Sequence, residues 1–141
     1  MIIYNLVQNV IPNSNIMSNA SNLLFTKEYV WIKEHEKNKF YLGISNFAQE
    51  TLGDIVFVDV KNGIEVSKNN ALGVIESVKT ASDIVCPEDG VIVSINDNLT
   101  SNPELINEKP HETWICEIEF SREVMPKDYL SIEDYEDLVK N

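Results

Sequence analysis

From Phe25 onward, short runs of β-branched and aromatic residues alternate with polar punctuation. Phe25 to Ile32 predicts a strand. The charged stretch Lys33 to Lys39 reads as a hairpin loop, and Phe40, Leu42 and Ile44 then alternate with the period of a second strand, Lys39 to Ile44. Ser45 or Asn46 can cap a short helix that Gly53 ends. Asp54 to Val60 reads as a strong strand, and Asn62-Gly63 after it is a hairpin signal. Further strands are expected at Ile64–Val66, Ala71–Val78, Ile84–Cys86, Val91–Asn96 and His111–Phe120. Pro87-Glu88-Asp89-Gly90 reads as a turn in which Gly takes a conformation other residues avoid. Thr100 to Leu105 looks like a helix start, with Pro103 near the first turn. Ser131, with Asp134 three residues on, predicts a capped C-terminal helix that buries Ile132, Tyr135 and Val139 on one face.

Many short strands with regular turns predict a mainly β sandwich or barrel with short helices. The absence of a βαβ rhythm argues against a parallel sheet. The 141 residues suffice for one domain and one hydrophobic core. No apolar run nears the roughly 18 residues that cross a bilayer, so no membrane span is expected. A formal charge of −12 repels phosphate backbones, so no nucleic-acid partner is expected. It favours solubility, a monomer and docking onto basic partners. Residues 1–22 contain six Asn and no charged residue. They read as an uncharged leader, disordered or targeting, or as a misassigned start with Met17 first. A single folded domain is expected to span residues 23–141.

Cys86 and Cys116 fit no metal motif and read as small buried hydrophobes. His35 and His111 read as solvated loop histidines without catalytic partners. The acidic run Glu133 to Asp137 reads as a solvated, capped helix face. The segment that stands out is Gly73 to Ile84, where two β-rich runs flank a polar turn centred on Lys79. A lysine at a hairpin tip is a compact, modifiable amine on a flexible stem.

Glu76-Ser77-Val78-Lys79-Thr80-Ala81-Ser82-Asp83 resembles the lipoylation segment of the glycine cleavage system H protein family. The resemblance extends to Thr26-Lys27-Glu28 with Trp31, to Leu42-Gly43-Ile44-Ser45, and to Phe47-Ala48-Gln49-Glu50 followed by Leu52 to Val58. It continues through Pro87, Gly90-Val91-Ile92, Pro103 to Asn107 and Trp114, so that it covers about residues 24–138. Tyr29 and Val30 depart from the family's opening motif, and Glu108 to Thr113 replace its Gly-rich turn.

The resemblance implies a flattened lipoyl/biotinyl-type β-sandwich, a barrel-sandwich hybrid with short helices and a C-terminal helix. It also implies a covalent lipoyl group on Lys79, with Glu76, Ser77, Val78, Thr80, Ser82 and Asp83 as the segment recognised for attachment. Such a protein is a carrier and not an enzyme. Its arm accepts the aminomethyl group of glycine from a pyridoxal-phosphate glycine decarboxylase and delivers it to a tetrahydrofolate-dependent aminomethyltransferase. Dihydrolipoamide dehydrogenase reoxidises the dithiol, and a lipoate ligase or lipoyltransferase attaches the group; the cofactor supplies the difficult chemistry. In the family the loaded arm folds into a surface cleft, for which Glu28 and the Phe47–Leu52 helix are candidate walls. Val78 and Thr80 beside the lysine, where biotin carriers usually have methionines, favour lipoate over biotin. Glu76, rather than an Asp directly before the lysine, separates the segment from lipoyl domains of 2-oxoacid dehydrogenases. The alternative on the same lysine is a lipoyl-relay protein that donates lipoate to other enzymes.

Overall fold

The computed structural model describes residues 22–140; the uncharged leader therefore lies almost wholly outside the described residues. Nine strands form two antiparallel sheets. The larger has the order β1 (Leu24–Phe25), β2 (Val30–Glu36), β3 (Lys39–Ile44), β9 (Cys116–Phe120), β8 (Gly90–Ile95), β5 (Glu65–Val66). The smaller is β4 (Ile55–Val60), β6 (Ala71–Ser77), β7 (Ala81–Val85). Helices α1 (Asn46–Leu52), α2 (Asn98–Ser101) and α3 (Leu105–Glu108) sit in the connections, and α4 (Ile132–Lys140) follows a single 3-10 turn at Pro126–Asp128.

The sandwich follows from which faces are apolar. Ile32, Leu42, Ile92 and Ile118 from the larger sheet meet Ile55, Ile75 and Ile84 from the smaller, all nearly without exposure. The larger sheet is apolar on both faces. Leu23, Phe25 and Trp31 form a second cluster, which α4 covers with Tyr135 and, at its margin, Ile132 and Val139. Two-sided burial explains why Val30-Trp31-Ile32 is a continuous buried run rather than an alternating one. The cap on α4 is formed as the sequence indicates: the Asp134 N–H donates to Ser131 Oγ at 3.1 Å.

Four local expectations are corrected. The hairpin at Lys33–Lys39 is much tighter than a seven-residue loop, because β2 runs to Glu36 and β3 begins at Lys39. Asn62-Gly63 turns the chain without pairing its flanks. Strand β4 takes β6 as partner, in register from Ile55 opposite Ser77 to Val60 opposite Gly73, while β5 crosses to pair with β8. Gly90 is not in a left-handed conformation. Its need is space, since a Cβ there would meet the Glu119 carbonyl oxygen at 2.4 Å. The strand expected at His111–Phe120 begins only at Cys116. The preceding residues instead serve as side-chain partners: Thr113 Oγ1 donates to the Leu105 carbonyl, and His111 caps a helix.

Ile118 sits at the centre of the larger sheet, opposite Phe40 on one side and Ile92 on the other. Ile118→Ala is expected to cost about 2–5 kcal/mol in urea unfolding, because the rigid strands cannot close the cavity.

Candidate functional site

Strands β6 and β7 form a tight hairpin whose four-residue tip is Ser77-Val78-Lys79-Thr80. Ser77 organises it. Its N–H donates to the Thr80 carbonyl at 2.8 Å. Its buried hydroxyl oxygen accepts from the N–H groups of Lys79 and Thr80 at 3.1 and 3.2 Å. The backbone on both sides of the lysine is thus held by one side chain. The Val78 N–H donates to the Asp54 carbonyl at 3.0 Å and ties the tip to the loop between α1 and β4.

That loop is fixed by Asn107. Its amide nitrogen donates to the Gly53 carbonyl at 2.9 Å and to Gln49 Oε1 at 2.8 Å, and its oxygen accepts the Ile55 N–H at 2.9 Å. Gly53 ends α1 with φ of 86°, a left-handed conformation that favours glycine. A Cβ there would also stand 2.9 Å from Lys79 Cε. The lysine stem therefore lies over a position that must stay bare. Lys79 itself is exposed, and among the described residues its amine enters no ion pair.

Beside the hairpin a cleft of about 140 Å³ opens between α1 and β7. Tyr29, Phe47, Leu52 and Ile84 make it apolar, and Glu28, Ser82 and Asp83 also line it. The expected cleft residues Glu28 and Phe47–Leu52 are thus brought together, as are Ser82 and Asp83 of the lysine segment; Glu76, Val78 and Thr80 stay exposed at the hairpin.

The cleft wall α1 has only seven residues, so its first amides matter. The Asn46 N–H donates to His111 Nε2 at 3.0 Å, the Phe47 N–H to the Tyr135 hydroxyl at 3.0 Å, and the Ala48 N–H to Ser45 Oγ at 3.3 Å. His111 is therefore not a solvated histidine. It is half-buried against Phe25 and Tyr135 and must be neutral at Nε2 to accept. Burial pushes its imidazole below the ordinary value of 6.5. His35 is exposed, but on strand β2, stacked on Tyr41 and paired with Glu117. Cys86 and Cys116 are buried free thiols, and burial pushes both up, so they behave as small hydrophobes. Asn107, and the acceptor roles of His111 and Tyr135, have no signature of their own in the sequence, whereas Gly53 was legible as the end of α1. Only the match over Pro103 to Asn107 touches one of them.

The site is thus a two-sheet sandwich that presents, at the tip of an ordered hairpin, an exposed lysine with no ion pair among the described residues. Residues 23–141 match the model of the family described as "Glycine cleavage H-protein". The chain is 45% identical over 122 residues to the glycine cleavage system H protein of Listeria monocytogenes serotype 4b, covering 85% of this chain and 97% of that one. It is 42% identical over 127 residues to that of Oceanobacillus iheyensis, covering 89% and 100%. The crystal structure of a glycine cleavage system H protein from Mycobacterium marinum superposes with a TM-score of 0.75 at 26% identity, covering 86% of this chain and 98% of the other. The chain belongs to the glycine cleavage H-protein family. It is a lipoyl carrier that shuttles the aminomethyl group of glycine, a subunit of the glycine cleavage system and not itself a catalyst; its partners are the other components of that system.

Two outcomes test this site. Asn107→Ala is expected to lower stability by about 1–3 kcal/mol in urea, because it leaves the Ile55 N–H and the Gly53 carbonyl unpaired at once. For His111, the unfolded chain takes up a proton near pH 6.5 while the folded chain does not. Its contribution is whole above that pH and is lost as pH falls toward the lower folded value. The drop in urea midpoint between about pH 7.5 and 5.5 should shrink in His111→Gln.

Proposed function

We propose that Lys79 is the residue that carries the lipoyl group, within a carrier domain spanning residues 23–141 that works as a monomer. The observation that supports this most directly is the combination at the hairpin tip: a backbone fixed by Ser77 and Asp54, and an exposed amine without an ion-pair partner among the described residues. An acceptor lysine needs both features. A fixed backbone lets an enzyme find it, and an unpaired amine can react.

The residues at the tip fit the group. Attachment forms an amide bond between Nζ and the carboxyl carbon of an activated lipoyl donor. The bond from that carbon to the donor's leaving oxygen breaks, the leaving group departs with the electron pair, and the Nζ ammonium gives up two protons to the attaching enzyme and keeps one hydrogen as the amide N–H. A lipoate ligase or lipoyltransferase that runs this step would read Glu76, Ser77, Val78, Thr80, Ser82 and Asp83. When bound, the group supplies a disulfide that takes up the aminomethyl unit and is later reoxidised.

The chain's own part is recognition and shelter. The apolar walls at Tyr29, Phe47, Leu52 and Ile84 exclude water from whatever part of the arm rests between them. Glu28 and Asp83 bring acidic residues to the lining of the same cleft, which suits a cationic amine on the loaded arm. The chain's excess of acidic groups suits brief docking to several enzymes in turn.

Intact mass after incubation with a lipoate ligase, lipoate and ATP decides the assignment. Wild type is expected to gain one lipoyl group and Lys79→Arg none. A gain on both would place the arm on another lysine. No gain on wild type, with the ligase active on another carrier, would remove the proposal altogether.

A further inference from the structure

Strand β4 is an edge of the smaller sheet, and its pairing with β6 slips by one residue between Ile55 and Phe57. A strand without a bulge turns alternate residues inward. Here the slip leaves both Val56 and Phe57 outward, each 50% exposed. Val78, next to the acceptor lysine, is 67% exposed. These three lie at one end of the sheet. Phe57 is opposite Glu76, Ile55 is opposite Ser77, and the Val78 N–H is bonded to the carbonyl of Asp54, two residues before Val56. No fold requirement explains them, since the core of this region is complete with Ile55, Ile75 and Ile84.

We infer that Val56, Phe57 and Val78 form the docking surface for the enzyme that attaches the acyl group to Lys79, an inference that rests on Lys79 being the acceptor. Two arguments select this occupant. Amide formation requires an enzyme to close around Nζ itself and strip it of water, so apolar surface directly beside the tip is covered in that step. Enzymes that act on the far end of a long arm have no such need of the ground beside its root. Charge gives the second argument. Asp54 and Glu76 are exposed beside the patch. The partner should therefore present an apolar patch flanked by basic side chains.

The test uses the full chain without lipoate, a lipoate ligase, lipoate and ATP. Attachment rates are read by intact mass at several carrier concentrations. Phe57→Ser is expected to raise the KM for the carrier about tenfold, a change typical of losing a central apolar anchor. Phe57→Leu should restore most of it, which separates the loss of an apolar contact from misfolding. Val91→Ser, an exposed apolar residue on the other sheet, is the control and should leave the KM unchanged. A KM for Phe57→Ser within twofold of wild type, an equal rise in Val91→Ser, or no rescue by Phe57→Leu would each overturn the inference. Failure of wild type to gain mass at Lys79 would show instead that the acceptor assignment is wrong.

Discussion

The amides at the start of α1 are the constraint on which the site rests. A helix of seven residues bonds few of its own N–H groups and is not stable alone in water. Three acceptors complete it: Ser45 next to it, His111 from the loop before β9, and Tyr135 from the C-terminal helix. Its other end is held by Asn107 through Gly53 and Gln49. The wall of the cleft therefore exists only when distant parts of the chain are docked. Each bond contributes about 1 kcal/mol, and losing the part-buried ones at Phe47 or Ala48 leaves a donor short of an acceptor, which is the costlier event. Stability of the whole fold and the shape of the cleft are coupled through these few atoms.

The same economy of contacts holds the lysine. Asn107 fixes the Gly53–Ile55 loop, the Asp54 carbonyl in that loop takes the Val78 N–H, and Ser77 closes the turn. The backbone on both sides of Lys79 is held by these bonds. Beyond it the side chain runs past the bare Gly53 and out to solvent. Order at the root with freedom in the arm is what a carrier that visits several enzymes needs. A fixed root gives each enzyme the same target, and a free arm reaches into different sites.

Much of this was legible in the sequence. Strand periodicity gave the β architecture, Ser45 and Ser131 marked their helix starts, and the segment around Lys79 stood out. The hairpin at Lys33–Lys39 failed locally, since Glu36 pairs directly with Lys39, but the other failures share a cause in partners far away in the chain. Asn62-Gly63 is a good local turn, but β4 found a longer register with β6 than the two-residue β5 could offer. His111 looked solvated because nothing nearby in sequence shows that Phe25 and Tyr135 enclose it. Gly90 looked like a turn glycine, and the strand β9 that makes it necessary lies some thirty residues on. Local chemistry sets turns and caps, whereas tertiary pairing decides what a polar atom meets.

The order β4-β6-β7 gives the lysine two different flanks. On the β4 side lie the outward Val56 and Phe57, and on the β7 side lies the cleft with Ser82, Asp83 and Ile84. One face suits an enzyme that must grip the root, and the other suits an arm that must be sheltered. Strand β6 stands between the two flanks and keeps them apart. The bulge that turns Val56 and Phe57 outward costs part of the edge pairing and exposes apolar surface. A chain with this much acidic charge tolerates that exposure, since mutual repulsion opposes association through the patch. The net charge and the bulge thus belong to one physical arrangement, in which exposed apolar surface at the sheet edge sits within a field of like charge that opposes contact between equally charged molecules.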